Sequence, residues 1–265
     1  MPQKITGDQG GASMVLLEKK KGLAVLTLNR PEKLNAMSSQ MRRDFGACLD
    51  EIEQDPDIHV VLLRGAGRSF CVGADTGDLP SSAMAWRKRV GTAQDHHTRL
   101  LKLDKIVVAA AQGAIAGGGV SLALSADILI LTTDATLHFP FVRLGLIPDG
   151  GCSFLLQNKI GVPLALDLML TAGKLDATEA LQRGLTRHVV ERSILDTYSR
   201  DIATKLLELP HEALVLTKAV SRQTWTGSMD ASLAHELDAF ALASQLPGHK
   251  QALEGIAAAA SKKSA

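Results

Sequence analysis

The amino-acid sequence predicts an α/β core followed by a helical C-terminal region. Three observations carry this. Short apolar runs recur between residues 23 and 132, separated by segments with helical spacing. The runs are apolar throughout instead of alternating, as parallel strands covered on both faces are. Beyond residue 190 such runs stop and helical periodicity takes over.

Residues 23–29 (LAVLTLN) form the first strand, closed by Arg30-Pro31, because the residue before a proline is pushed out of helical geometry. Ser38 and Ser39 are suitable N-caps for a helix that buries Met41, Phe45, Leu49 and Ile52. Residues 59–64 (HVVLLR) are a second strand, and Gly65-Ala66-Gly67 turns the chain. Residues 76–105 are more polar, hold Trp86 and His96-His97, and are expected to form a mobile helical flap. Strand 106–111, helix 117–124 and strand 127–132 follow. Residues 106–126 carry no charge and would span a bilayer on length alone. Gln112, Ser121, Ser125 and the three-glycine run 117–119 favour a buried strand, turn and helix instead. Segments 195–209, 212–221 and 232–245 read as helices, with Pro210 dividing the first two, and an alanine-rich stretch, 251–260, precedes Lys262-Lys263. The expected division is a flexible leader at 1–12, a core at 13–193 and a helical region at 194–265.

Composition narrows the function. The 265 residues are 46% hydrophobic and 22% charged, as in ordinary globular chains. Twenty-nine basic against 28 acidic residues leave no surplus for neutralising phosphates, and 3% aromatics are few for base stacking, so nucleic acid is not an expected partner. Cys48, Cys71 and Cys152 are widely spaced and form no CxxC pair, which argues against a metal site and fits a reduced, cytoplasmic setting. The polar start of the chain has no apolar h-region, so a signal peptide is not expected.

No GxxxxGK[ST] phosphate loop occurs, and Gly119-Val120-Ser121-Leu122-Ala123 is not a GxSxG elbow. Residues 65–70 begin like a dinucleotide fingerprint but place Phe70 where the last glycine belongs. His96 and His97 are adjacent on a helix and point apart, a poor metal pair. Three segments remain: 68–75 (RSFCVGAD), 113–124 (GAIAGGGVSLAL) and 144–151 (LGLIPDGG). Each sets small residues at a strand end, where backbone N–H groups can approach a ligand closely. Two such groups from separate segments would form an oxyanion hole; close helix–strand packing explains the glycines equally well.

These segments, together with Leu28-Asn29-Arg30-Pro31-Glu32-Lys33-Leu34-Asn35-Ala36 and Glu254-Gly255, resemble the crotonase, or enoyl-CoA hydratase/isomerase, superfamily along nearly the whole chain. The resemblance implies a spiral of ββα turns, a helical C-terminal region that drives formation of a homotrimer or a dimer of trimers, and an acyl-CoA thioester substrate with no tightly bound cofactor. It places the thioester oxygen on the N–H groups of Ala74 and Gly118. It lines the coenzyme A channel with Lys33, Ala36, Ser69, Cys71, Gly73 and Asp75, mostly through main-chain atoms. Family hydratases carry glutamates at the positions of Ser121 and Phe141, neither acidic here. What remains is Asp149, in a Pro-Asp-Gly sequence most like the isomerase branch. There it is either the working acid and base or only the cap of the following helix, and the two roles are compatible.

Weaker candidates are Asp78 and His138 near the acyl group and Lys262 and Lys263 toward coenzyme A phosphates of a neighbouring subunit, the latter equally well a basic tail. Asp75 fits a helix cap, and Cys71 and Cys152 fit small buried fillers. Ala259 stands where the family often has an aromatic residue beside the adenine. Three functions follow from this reading: an enoyl-CoA isomerase using Asp149, a hydratase or other crotonase reaction, and a catalytically silent acyl-CoA-binding protein.

Overall fold

A computed structural model describes residues 13–223 and 226–263 of the chain. The leader expected at 1–12 lies outside the described residues, as do the side chains of Lys262 and Lys263. Six strands form the main sheet, in the order β1 (Val15–Lys20), β2 (Leu23–Leu28), β3 (Val60–Gly65), β4 (Ile106–Ala111), β6 (Ile128–Thr132) and β9 (His188–Val190). β1 and β2 are an antiparallel hairpin, with Val15 opposite Leu28, and all later neighbours are parallel. A smaller sheet joins β5 (Ala114–Ala116), β7 (Thr136–His138) and β8 (Lys174–Asp176). The strand at 15–20 (VLLEKK) has only three apolar residues, Val15, Leu16 and Leu17, before Glu18, Lys19 and Lys20, too short a run for the sequence to announce a strand.

The main sheet is buried on both faces. On one face Leu26, Val61, Leu63, Val107 and Ala109 pack against Met41, Phe45, Leu49 and Ile52 of α1 (Ser39–Gln54), whose N-cap Ser38 accepts from the Met41 N–H. On the other face Val25, Val60, Leu62, Val108 and Ala110 meet Leu195, Tyr198 and Ala203 of α7 (Leu195–Leu207). Alternate residues of each strand thus enter different clusters, so every position of β3 and β4 there is apolar. The short 3-10 turn Arg192–Ile194 follows β9, and α7 returns onto the sheet.

Residues 76–105 hold one long helix, α2 (Ala83–Lys102), after a short turn at Thr76–Asp78. Where the sequence suggests a flap, the structure buries Trp86, Val90, Gln94, His97, Leu100 and Leu101 along one side of α2. The remaining helices are α3 (Gly118–Leu124), α4 (Cys152–Ile160), α5 (Val162–Leu170), α6 (Ala177–Gln182), α8 (His211–Gln223), α9 (Thr226–Ala243) and α10 (Pro247–Lys263). Asp127 fastens α8 to the sheet: it accepts from the Val107 N–H at 2.8 Å and pairs with Lys218 at 2.9 Å and Arg222 at 2.6 Å. Among the described residues no helix is long and apolar enough to cross a membrane.

Two loops meet beside α3, above the ends of β3 and β4. An isolated bridge pairs Cys71 with Ile115, and the Ala116 N–H donates to the Cys71 carbonyl at 3.0 Å. Gly119 lies so close to this loop that a Cβ there would overlap the Cys71 carbonyl oxygen. The expected outcome of Gly119→Ala is therefore a loss of about 3 kcal/mol in urea unfolding. Gly255→Ala on α10, where a Cβ meets nothing within 4 Å, is expected to gain about 0.5–1 kcal/mol. Equal midpoints for the two variants would contradict the packing described.

Candidate active site

The loops after β3 and β4 and the residues before α4 surround a cavity of about 170 Å³. Ala74 and Gly118 both line it. Gly73, at φ +84°, brings the first loop against the second: a Cβ on it would lie 3.1 Å from the Gly118 nitrogen and 2.7 Å from the Ala116 carbonyl oxygen. Met37 holds the outer side of this loop by donating to the Gly73 carbonyl at 2.7 Å and accepting from the Asp75 N–H at 3.3 Å. The Ala74 N–H falls between these bonds. Gly118 is the first residue of α3, and its N–H precedes the first intrahelical donor. Among the described residues, neither N–H has a hydrogen-bond partner.

Asp149 faces the same cavity. Its Oδ1 is buried and has no hydrogen-bond partner among the described residues. This oxygen lies 3.7 Å from where a Cβ on Gly118 would stand, so the carboxyl sits directly over that residue. Burial dominates its titration and pushes its pKa up to about 6, against the partial opposition of the positive charges on Arg89 and Arg42. The carboxylate does not cap α4, which has no side-chain cap. That task falls to Glu236 of α9, which accepts from the Gly151 N–H at 2.8 Å and from the Ser153 hydroxyl at 2.7 Å. Its own pKa is raised to about 7, chiefly by burial.

Two further groups fix the loop that carries Asp149. The Ser121 hydroxyl donates to the Asp149 carbonyl at 2.8 Å. His97 Nδ1 lies 3.0 Å from the Gly150 carbonyl, which can only accept, so Nδ1 carries the proton; burial lowers the pKa of the ring to about 4 and keeps it neutral. His96 instead packs on Phe45, with ring centroids 5.3 Å apart, so the two histidines do diverge. Phe141 closes the cavity beside Gly117.

Most of the residues expected in the coenzyme A channel lie below the surface, with Ala36, Ser69 and Cys71 buried. Lys33 is exposed in the turn Pro31–Lys33, and Ala36 is buried behind it. Asn35 ties the two loops, donating to the carbonyls of Ala66 at 2.9 Å and Ser69 at 2.8 Å. Cys71 is fully buried, its carbonyl is taken by the Ala116 N–H, and burial raises its thiol pKa to about 11, so the structure does not place it on a ligand-facing surface. Asp75 caps the turn Thr76–Asp78 through the Gly77 N–H and pairs with Arg30 at 2.5 Å, which holds its carboxyl below the usual range. Asp78 accepts from the Ser39 N–H. His138 does not line the cavity; its carbonyl accepts from the Gly117 N–H in the smaller sheet. Cys152 is buried in the core.

Sequence reading missed Arg42, Arg89 and Glu236. Arg42 adjoins Met41 and lies three residues before Phe45 on the buried side of α1, and Arg89 lies three residues after Trp86 on α2, so helical spacing alone placed both on inward faces. Among the described residues no group of His, Cys, Asp and Glu is arranged to hold a metal ion.

The profile of the enoyl-CoA hydratase/isomerase family matches residues 18–264 of this chain. The 1,2-epoxyphenylacetyl-CoA isomerase of Escherichia coli is 34% identical over 255 residues, covering 94% of this chain and 96% of that protein. A short-chain-enoyl-CoA hydratase of Clostridium acetobutylicum is 36% identical over 228 residues, covering 85% and 87%. Among solved structures, an enoyl-CoA hydratase from Mycobacterium avium subsp. paratuberculosis superposes with a TM-score of 0.86 at 26% identity, over 93% of this chain and 100% of that one.

Burial of Asp149 has a measurable cost in stability. The folded state holds the proton more tightly than the unfolded one, so this group's contribution is fully present below about pH 4 and is lost as the pH rises to about 6. The rise from 3.8 to about 6 corresponds to about 3 kcal/mol. Asp149→Asn is therefore expected to unfold at higher urea than the parent at pH 8, and at the same concentration at pH 4. A variant less stable than the parent at pH 8 would contradict this.

Proposed function

The chain belongs to the enoyl-CoA hydratase/isomerase family, and we propose that it is an enoyl-CoA double-bond isomerase in which Asp149 carries the proton. The observation that supports this is a buried, unpartnered carboxyl oxygen over Gly118, in the cavity lined by Ala74.

Removing a proton from the carbon next to a thioester throws negative charge onto the carbonyl oxygen. In this reading the N–H groups of Ala74 and Gly118 receive that oxygen, and each such donor is worth about 3–4 kcal/mol of barrier. The Asp149 carboxylate takes the α-proton of a 3-enoyl thioester. The electron pair of that C–H bond becomes the new α,β double bond as the old one breaks, and the carboxylic acid returns a proton to the γ-carbon. One group serves as base and then acid, so a pKa near 6 suits both halves of the cycle. The turn at 31–36 and the loop at 69–75 would hold the coenzyme A portion, which belongs to the substrate; no resident cofactor is required.

A hydratase needs a second titrating group to activate water. Its family positions hold Ser121, whose hydroxyl is engaged by the Asp149 carbonyl, and Phe141. Glu236 is engaged by Gly151 and Ser153. The isomerase reading is preferred on that ground, although relatives named as hydratases are as similar as the isomerase.

The test is turnover of 3-enoyl-CoA to 2-enoyl-CoA. Its kcat/KM should rise with pH through about 6, as the carboxylate forms, and then level off. Asp149→Asn should lower kcat about 10²–10⁴-fold. Fast hydration of 2-enoyl-CoA that survives Asp149→Asn would refute the reading.

We propose, on the same family reading, a homotrimer or a dimer of trimers. Apolar side chains stand exposed on the C-terminal helices, among them Leu216, Val220, Leu242 and Ile256, and exposed apolar surface of this kind marks association sites. Light scattering should return three or six times the 28.1 kDa chain mass; a monomer at micromolar concentration would contradict it.

A further inference from the structure

We propose that the acyl group accepted here ends in a carboxylate, received by Arg42 and Arg89; this rests on the thioester reading above and names its substrate class. Both arginines line the cavity that Asp149 faces. Arg42 sits on the buried side of α1 with a side chain only 10% exposed, and Arg89 comes from α2, its guanidinium 5.6 Å from the centre of the Trp86 ring.

Their counter-charges are insufficient. In each arginine Nη2 is buried and has no hydrogen-bond partner among the described residues. The carboxylate approaching Arg42 is Asp78, at 4.0 Å, too far for a hydrogen bond, and that carboxylate already accepts from the Ser39 N–H. Among the described residues, the hydrogen bond of Arg89 is to the main-chain carbonyl of Asp78, through Nη1. Burial lowers the pKa of both, that of Arg89 to about 10, and the guanidinium group keeps its charge at neutral pH. Each also repels the other, and Asp149 offers them no lasting partner, since it is protonated during part of the proposed cycle. A buried guanidinium, Arg42, beside a half-buried one, Arg89, each with a buried open donor, is costly unless an anion arrives.

A planar carboxylate fits two guanidinium groups by paired N–H···O bonds. An acyl chain ending in methyl would bury the same donors unpaired, and sites of this kind reject the analogue that lacks the polar group. The positive region continues behind the pair. A second cavity, of about 670 Å³, shares Arg42 and Arg89 and adds Arg43 and Lys88 against Asp50 and Asp78.

The experiment is calorimetric binding of glutaryl-CoA and adipyl-CoA against pentanoyl-CoA and hexanoyl-CoA, with the parent protein and with Arg42→Met and Arg89→Met. These thioesters are saturated, so the readout does not depend on isomerisation. At least tenfold tighter binding of the carboxylated thioesters by the parent, falling to within about twofold in the arginine variants, is the expected result. Equal or weaker binding of the carboxylated thioesters by the parent overturns the proposal, and that comparison stands even where a variant fails to fold. Turnover of matched 3-enoyl-CoA pairs is measured separately: isomerisation without preference for the carboxylated substrate overturns this inference and leaves the isomerase reading intact, whereas carboxylate-selective binding without isomerisation does the reverse.

Discussion

The site depends on keeping one carboxyl out of water. Asp149 is carried on a loop with no regular structure between the turn at Phe141–Leu144 and α4, yet it is held at three points. Ser121 binds its carbonyl from α3, His97 binds the next carbonyl from α2, and Glu236 binds the Gly151 N–H from α9. None of these bonds uses the Asp149 carboxyl, so the loop is fixed while the carboxyl stays uncommitted. A carboxyl that capped its own helix would be stabilised as the anion and would make a weaker base.

The supports come from distant parts of the chain. Gln94 Nε2 donates to the Leu233 carbonyl at 2.9 Å, and His97 and Glu236 both reach the segment 150–153. Thus α2 and α9, neither part of the sheet, clamp the loop between them. This accounts for the polar residues buried in α2. Gln94 and His97 point toward α9 and the Asp149 loop, whereas Trp86 and Val90 pack with Leu146 and Phe240 in a small cluster of their own. What looked like a polar, mobile segment is polar because its partners are main-chain carbonyls and a buried glutamate.

The fold was legible where its strands are mostly apolar and a glycine or proline soon follows, as at 23–28, 60–65 and 106–111. The run at 23–28, the helix-spaced Met41, Phe45, Leu49 and Ile52, and the runs at 60–65 and 106–111 all reappear as elements within one or two residues of expectation. β1 was not legible, since Glu18, Lys19 and Lys20 give it no apolar signature and its place is set by pairing with β2. At the site, Ala74, Gly118 and Asp149 could be named from ordered motifs, and the structure brings them around one cavity. Arg42, Arg89 and Glu236 were not named, because charged residues on a helix ordinarily face water, although the spacing of Arg42 from Phe45 and of Arg89 from Trp86 already put both on inward faces. The same limit applied to His138, whose backbone joins the smaller sheet and whose side chain does not line the cavity.

Infrared difference titration tests the central claim most directly. The protonated carboxyl band of the parent protein, after subtraction of the band from Asp149→Asn, isolates this residue from Glu236. The account predicts a midpoint near pH 6. A midpoint at or below pH 4 would show Asp149 to be solvated or ion-paired, and would contradict a buried carboxyl poised to both take and return a proton.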